Sequence, residues 1–359
     1  MRAPRTLMLV VLGCVAACQL PDAHPQTVQA PPPAYRPPPG YPGYPGYPPP
    51  PYPPGYAPPP SGTLPPGYPP PPPVAPGQPQ PVPPPAPQPT PARPLLAPLF
   101  GALAWQAEVR SVVNELEANL TSEQQNLVSG IPLVFDPDPN EINAFAGCDD
   151  SGSPFVAGTE GLLETLDAIA QTRATDELFG TQTYDAYTRA VTPQLVSSQT
   201  ASPALPPSII PMQFVTDARR LSRAHEMFDE IAAFTFGHEL AHHYRGHTGC
   251  AHGQPTHIPP AVSDLRRLAS TAIPLLNQIN ENEADQWGCF DVLATGKARQ
   301  AAGLRWTEEG GLWLFDFFAR LDGASGGIRV DFLRTHPAPG LRIPQVQFWA
   351  ATWRFQHPG

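Results

Sequence analysis

His238 and His242 are the residues whose type and spacing first point to chemistry. Four positions apart on a helix, two imidazoles lie on one face about one turn apart and can hold a single metal ion. Glu239 stands one step round, where its carboxylate can take a proton from a water at the open position and pass it to a leaving amine. A catalytic zinc ordinarily takes three protein ligands, so a third donor is expected downstream. The run Asn280-Glu281-Asn282-Glu283-Ala284-Asp285 offers carboxylates. Glu281 and Asp285 are again four apart, which lets Glu281 complete the coordination while Asp285 orients a ligand histidine; Glu283 falls on another face and is the alternative ligand. The expected cofactor is one Zn2+ per chain.

The order His238, Glu239, His242, Glu281, Asp285 resembles that of the HtpX and CAAX prenyl protease family of zinc metallopeptidases, where HExxH is followed by ExxxD. The wording of the second motif is close to that of soluble periplasmic, BepA-like members. Ile142-Asn143-Ala144-Phe145-Ala146 resembles the family's strand beside the active site, and Thr335-His336-Pro337 with Arg342-Ile343 resembles its C-terminal signature. The resemblance therefore runs from about Glu141 to Ile343. It implies Glu281 rather than Glu283 as zinc ligand, and a His336 near the metal that stabilises an oxyanion or fills the fourth position at rest. It also implies that the strand at Asn143, Ala144 and Phe145 pairs with extended substrate backbone. The chain departs from the pattern in three ways. The membrane-spanning helices of some members are not found, no tetratricopeptide-like repeat is read after Ile343, and Gly147-Cys148-Asp149-Asp150 replaces a glycine-rich turn. Short lipoprotein members are the closer comparison.

Other residues of the same chemical types need separate placing. His243 points about 140° away from His238 on an ideal helix, so a surface or outer-shell position is expected. His247, His252 and His257 follow in a loop, with a spacing that fits no closed metal set. Cys148, Cys250 and Cys289 remain after processing, and an oxidising compartment would pair two of them. The connectivity is open, and a Cys250–Cys289 bridge would staple the loop over the metal helices.

The elements that must position these residues are read from periodicity. Apolar residues recur at helical spacing from Leu103 to Leu127, Gly161 to Ala170, Asp217 to His243, Val262 to Leu268, Leu275 to Thr295 and Leu312 to Leu321. Strands are expected at Ile131 to Phe135, Glu141 to Ala146 and Pro154 to Ala157, with an irregular Thr/Ser/Pro-rich stretch from Thr172 to Pro211. The expected fold class is α+β: a mainly helical zincin-type metallopeptidase domain, residues 99–359, with a small sheet beside the active-site helix.

The N-terminal part has another character. Arg2 and Arg5 precede the apolar run Leu7 to Ala17, which is too short for a permanent membrane span and reads as an export signal, residues 1–17. Val15-Ala16-Ala17-Cys18 resembles a bacterial lipobox, with Cys18 as the acylated mature N-terminus; Gln19 after it favours the outer membrane, facing the periplasm. Most of the 55 prolines lie in residues 18–98, where amide donors and aliphatic periodicity are lacking. That segment reads as a disordered polyproline II tether, and its Tyr-Pro-Gly repeats can also dock a proline-recognition partner.

A net charge of −10 without a basic stripe argues against nucleic acid as partner. The expected function is a zinc-dependent endopeptidase of the cell envelope that hydrolyses unfolded or misfolded proteins. The alternative is a non-proteolytic zinc-binding lipoprotein acting as chaperone or scaffold. An intact Glu239 disfavours the alternative, because a purely structural zinc site needs no base and normally closes four protein ligands.

Overall fold

The computed structural model describes residues 95–198, 200–250, 258–272, 278–300, 306–325 and 339–358. The export signal, Cys18 and nearly all of the proline-rich tether lie outside the described residues, as do His252, His257 and His336. The described residues all belong to one compact unit, Pro85–Gly359.

Two short helices open the domain, α1 (Ala102–Asn119) and α2 (Ser122–Val128). A single helix was expected here, but Leu120 is extended and Thr121 starts a new helix with a capping box, its side chain and that of Gln124 satisfying each other's backbone amides. Three strands follow: β1 (Leu133–Asp136), β2 (Ala144–Cys148) and β3 (Pro154–Thr159). β3 is central, parallel to β1 and antiparallel to β2. β2 begins later than the sequence suggests. The Asn143 amide donates to the Thr159 hydroxyl rather than to a ladder carbonyl, so regular pairing starts at Ala144.

The remaining elements are helical: α3 (Glu160–Phe179), α4 (Thr183–Ser197), α5 (Ala218–Tyr244), α6 (Leu265–Ala272), α7 (Gln278–Arg299), α8 (Glu309–Ser325) and α9 (Pro339–Gln356). Of the stretch expected to be irregular, Thr172 to Pro211, the first part instead completes α3 and forms α4, and the described residues from Ser198 on are irregular as expected. Its threonines do not compete with the helix, because Thr172, Thr175, Thr188 and Thr192 return their hydroxyls to carbonyls four residues back. The α+β description holds: the domain is mostly helical with a small mixed sheet.

α5 is the axis of the fold. Its 27 residues start at Asp217, whose carboxylate accepts from the Arg219 and Arg220 amides, and every residue from Met227 to Tyr244 is buried. A helix apolar or buried on all sides must be surrounded. α3, α7 and α8 pack along it, and the sheet covers its C-terminal half, where Phe236 meets Phe135 edge to face. α6 closes the other face of the sheet through Leu265, Leu268 and Ala269 against Val134, Phe145, Phe155 and Ala157. Among the described residues, no helix is long and apolar enough to cross a membrane.

Candidate metal centre

α5 and α7 bring the separated motifs together. The approach depends on Gly288, because a Cβ there would lie 2.8 Å from the His238 backbone nitrogen and 3.0 Å from its Cα. With only hydrogen at that position, α7 lies directly on α5, and its N-terminal turn carries Glu281 to the two histidines.

The resulting triangle is small and dry. His238 Nε2 and His242 Nε2 are 3.0 Å apart, and Glu281 places Oε2 3.5 Å from the first and Oε1 3.3 Å from the second. His238, His242 and Glu281 are 3%, 0% and 2% exposed. Zinc bonds of about 2.0–2.1 Å to tetrahedral ligands require donor–donor edges of about 3.3–3.4 Å. Each imidazole faces its own Glu281 oxygen at about that separation, and the donors are two imidazoles and a carboxylate, so the residues fit a divalent transition-metal ion.

The outer nitrogens of both imidazoles are held as well. Asp285 Oδ1 lies 3.0 Å from His238 Nδ1, which fixes a proton on that nitrogen and leaves the Nε2 lone pair facing the triangle. His242 Nδ1 lies 2.9 Å from His247 Nδ1, whose Nε2 is 3.1 Å from Glu283 Oε2. One tautomeric pattern satisfies the chain. His242 Nδ1–H donates to His247 Nδ1, and His247 Nε2–H donates to Glu283, which again frees the Nε2 lone pair of His242. Glu283 is therefore no ligand of the triangle, and it is more than a solvated helix face, since Arg245 also donates to it at 2.8 Å.

Arg342 was visible in the sequence only as part of a resemblance, with no role. It is 5% exposed on α9, a helix that sequence periodicity did not reveal. Its Nε and Nη2 donate to the two Asp285 oxygens at 2.7 and 2.5 Å, and Nη1 lies 3.3 Å from Glu281 Oε2. The guanidinium also rests 4.3 Å from the Phe315 ring centre. One arginine thus braces Glu281 and the carboxylate behind His238. Burial would push the Asp285 carboxyl up, but Arg342 and His238 outweigh it and hold the carboxyl below the ordinary range. Burial likewise pulls His238 down, while Asp285 and Glu281 more than compensate and raise it to about 9 in the metal-free protein.

Glu239 is 1% exposed on α5, and its negative charge acts on both His242 and Arg342. Asn143, Ala144 and Phe145 stand at the edge of the sheet, but they differ in what they offer. The Asn143 carbonyl accepts from the Thr159 amide, and antiparallel alternation then turns the Phe145 backbone groups toward β3 as well. The Ala144 and Ala146 amides and carbonyls point the other way.

Two expectations are corrected here. His243 is neither on the surface nor behind a ligand. It is 1% exposed, with Nε2 2.9 Å from the Phe155 carbonyl and Nδ1 3.0 Å from the Thr248 hydroxyl, so it fastens the end of α5 to β3. The disulfide joins Cys148 to Cys250, and Cys289 is a buried free thiol. Cys289 faces the packed side of α7 at 0% exposure, whereas Cys148 ends the edge strand with its sulfur at the Thr248 carbonyl, two residues from Cys250. Comparison of the chain with protein-family models, curated proteins and solved structures gives no match.

Proposed function

We propose that the chain is a zinc-dependent endopeptidase of the HtpX-like type with a zincin-like catalytic domain, held at the bacterial outer membrane through a lipid on Cys18 and acting on unfolded envelope proteins. The observation that carries the reading is the buried cluster of His238, His242 and Glu281, in which each imidazole Nε2 faces a Glu281 oxygen, with Glu239 on the same helix.

A zinc ion bound there supplies a Lewis acid that polarises a peptide carbonyl and makes a water acidic at neutral pH. The chain's own groups do the rest. Glu239 takes the water's proton and returns it to the leaving amine, and its burial strengthens each exchange by excluding bulk solvent. Asp285 keeps His238 in the tautomer whose Nε2 faces the site, and His247 does the same for His242. Arg342 prevents Glu281 and Asp285 from swinging away. The outward amides and carbonyls of Ala144 and Ala146 suit an added extended strand, which recruits unfolded chains through their backbone and with little side-chain selectivity. His336, which lies outside the described residues, enters this reading only in the role the resemblance implies, stabilising an oxyanion or filling the fourth position at rest.

The test is digestion of an unfolded protein such as casein by the purified mature chain, with and without chelator. Activity should vanish with chelator and fall by about two to four orders of magnitude in Glu239→Gln while metal content is retained. Equal activity in Glu239→Gln and the parent would overturn the mechanism. Full complementation of a deletion by that variant would favour the non-proteolytic scaffold.

A further inference from the structure

A second cluster of metal-binding side chains lies on α5, near its N-terminal end. His225 and Asp229 are four apart, and Glu108 of α1 faces them. The site is separate from the first, because 13 residues of helix between His225 and His238 correspond to about 20 Å.

The hydrogen bonding of His225 sets its chemistry. Its Nδ1 lies 2.5 Å from the Ala97 carbonyl. A carbonyl only accepts, so Nδ1 carries the proton and the neutral ring presents a lone pair at Nε2. That lone pair looks at two carboxylate oxygens, Glu108 Oε1 at 3.3 Å and Asp229 Oδ1 at 3.6 Å. A lone pair facing carboxylates is repelled unless a proton or a metal ion lies between them; burial works against the proton, but Glu108 and Asp229 outweigh it and raise the metal-free ring's affinity for it. Asp229 makes the need sharper: its side chain is 5% exposed, and Oδ1 accepts no hydrogen bond.

The neighbouring charges leave room for a divalent ion. Arg299 approaches the other Asp229 oxygen at 3.9 Å and pairs with Glu115. With His225 neutral and all three carboxyls ionised, Glu108, Asp229 and Glu115 oppose the single cation Arg299 and leave two negative charges that one divalent ion balances; without the ion, burial raises the Asp229 carboxyl well above its ordinary range and it keeps a proton. The nitrogen–oxygen separations are also close to the edge of about 3.3–3.4 Å that bonds of about 2.0–2.1 Å require. One imidazole with two carboxylates suits a borderline first-row ion better than magnesium or calcium.

We propose that Glu108, His225 and Asp229 form a second, structural site for a divalent transition-metal ion, which clamps α1 and the segment entering at Ala97 onto α5. The clamp sits where the folded domain receives the chain from its N-terminal side.

The experiment counts zinc bound to the full mature chain after equilibration and gel filtration, in a His242→Ala background that removes the first site. One zinc per chain is expected there, with a rise in melting temperature on zinc addition. Adding His225→Gln should abolish both, with the fold checked by circular dichroism. If that variant does not fold, Glu108→Gln carries the same expectation, a loss of zinc affinity of roughly tenfold or more. Equal zinc content and melting response with His225 intact and replaced, or unchanged affinity in Glu108→Gln, would overturn the proposal and leave a proton-linked acid cluster. Failure of the first site shows differently, as parent and His242→Ala binding the same amount of zinc.

Discussion

Gly288 of α7 meets His238 of α5 at backbone contact, with 2.8 Å between the place of a Cβ and the histidine nitrogen. The His238–His242–Glu281 cluster therefore depends on a residue that is not part of it. Gly288→Ala must either open the α5–α7 crossing or displace α7 along it, and each moves Glu281 away from the two histidines. The expected cost is about 1–3 kcal/mol of stability and roughly tenfold in zinc affinity. Calorimetric zinc titration of the folded variant measures the second quantity, and unchanged affinity would show that the crossing does not set the site.

The local part of this centre was legible because helix geometry is local: four-residue spacing puts His238 over His242 whatever the rest of the chain does. Glu281 against Glu283 was not decided by spacing, and only a resemblance favoured the first. The structure supplies the physical distinction, since Glu283 is engaged by Arg245 and His247 while Glu281 faces His238 and His242. Arg342 left no local signal. It comes from a helix containing Pro344 and rich in aromatics, so neither propensity nor period announced it. Likewise no sequence rule says which cysteine Cys250 will reach.

Arg342 braces Glu281 and the carboxylate behind His238, whereas His247 stands behind His242, so their loss should read differently. Arg342→Met removes both bonds to Asp285 and leaves that carboxylate buried against His238 alone. A loss of roughly 3–5 kcal/mol is expected, because half of a buried ion pair remains uncompensated. His247→Ala leaves solvent or a rearranged Glu283 behind His242, so a milder loss is expected, about tenfold in zinc affinity with little change in melting temperature. Zinc titration and thermal denaturation of both variants separate the two roles; a His247→Ala chain that binds zinc like the parent would remove His247 from the ligand network.

The Cys148–Cys250 bridge joins positions 102 residues apart, tying the end of β2 to the loop after α5. A closed loop of that length restricts the unfolded chain strongly, and its removal should lower stability by about 2–5 kcal/mol. Since His243 and Thr248 lie between α5 and the bridge, the same loss should loosen the region beside His247. Hydrogen exchange in the Cys148→Ser/Cys250→Ser chain is expected to rise first at residues 243–250. A uniform rise over the whole domain, with no early change there, would confine the bridge to a global entropic role.

Asp291 gives the pH dependence a definite sign. It is buried, desolvation raises its carboxyl to about 8, and the Tyr244 hydroxyl that donates to Oδ2 at 2.6 Å offsets only part of this. In the unfolded chain the same group titrates near about 3.9. Between these values the native state holds a proton that the unfolded state has released, so stability falls as pH rises from about 4 toward 8. Asp291→Asn keeps an acceptor for Tyr244 and removes the titration. The variant should match the parent within about 0.5 kcal/mol near pH 4 and exceed it by up to about 5 kcal/mol at pH 8, since about four units of separation count about 1.4 kcal/mol each. Denaturant unfolding of both proteins at the two pH values checks this, and a difference independent of pH would mean that Asp291 is already ionised in the native protein.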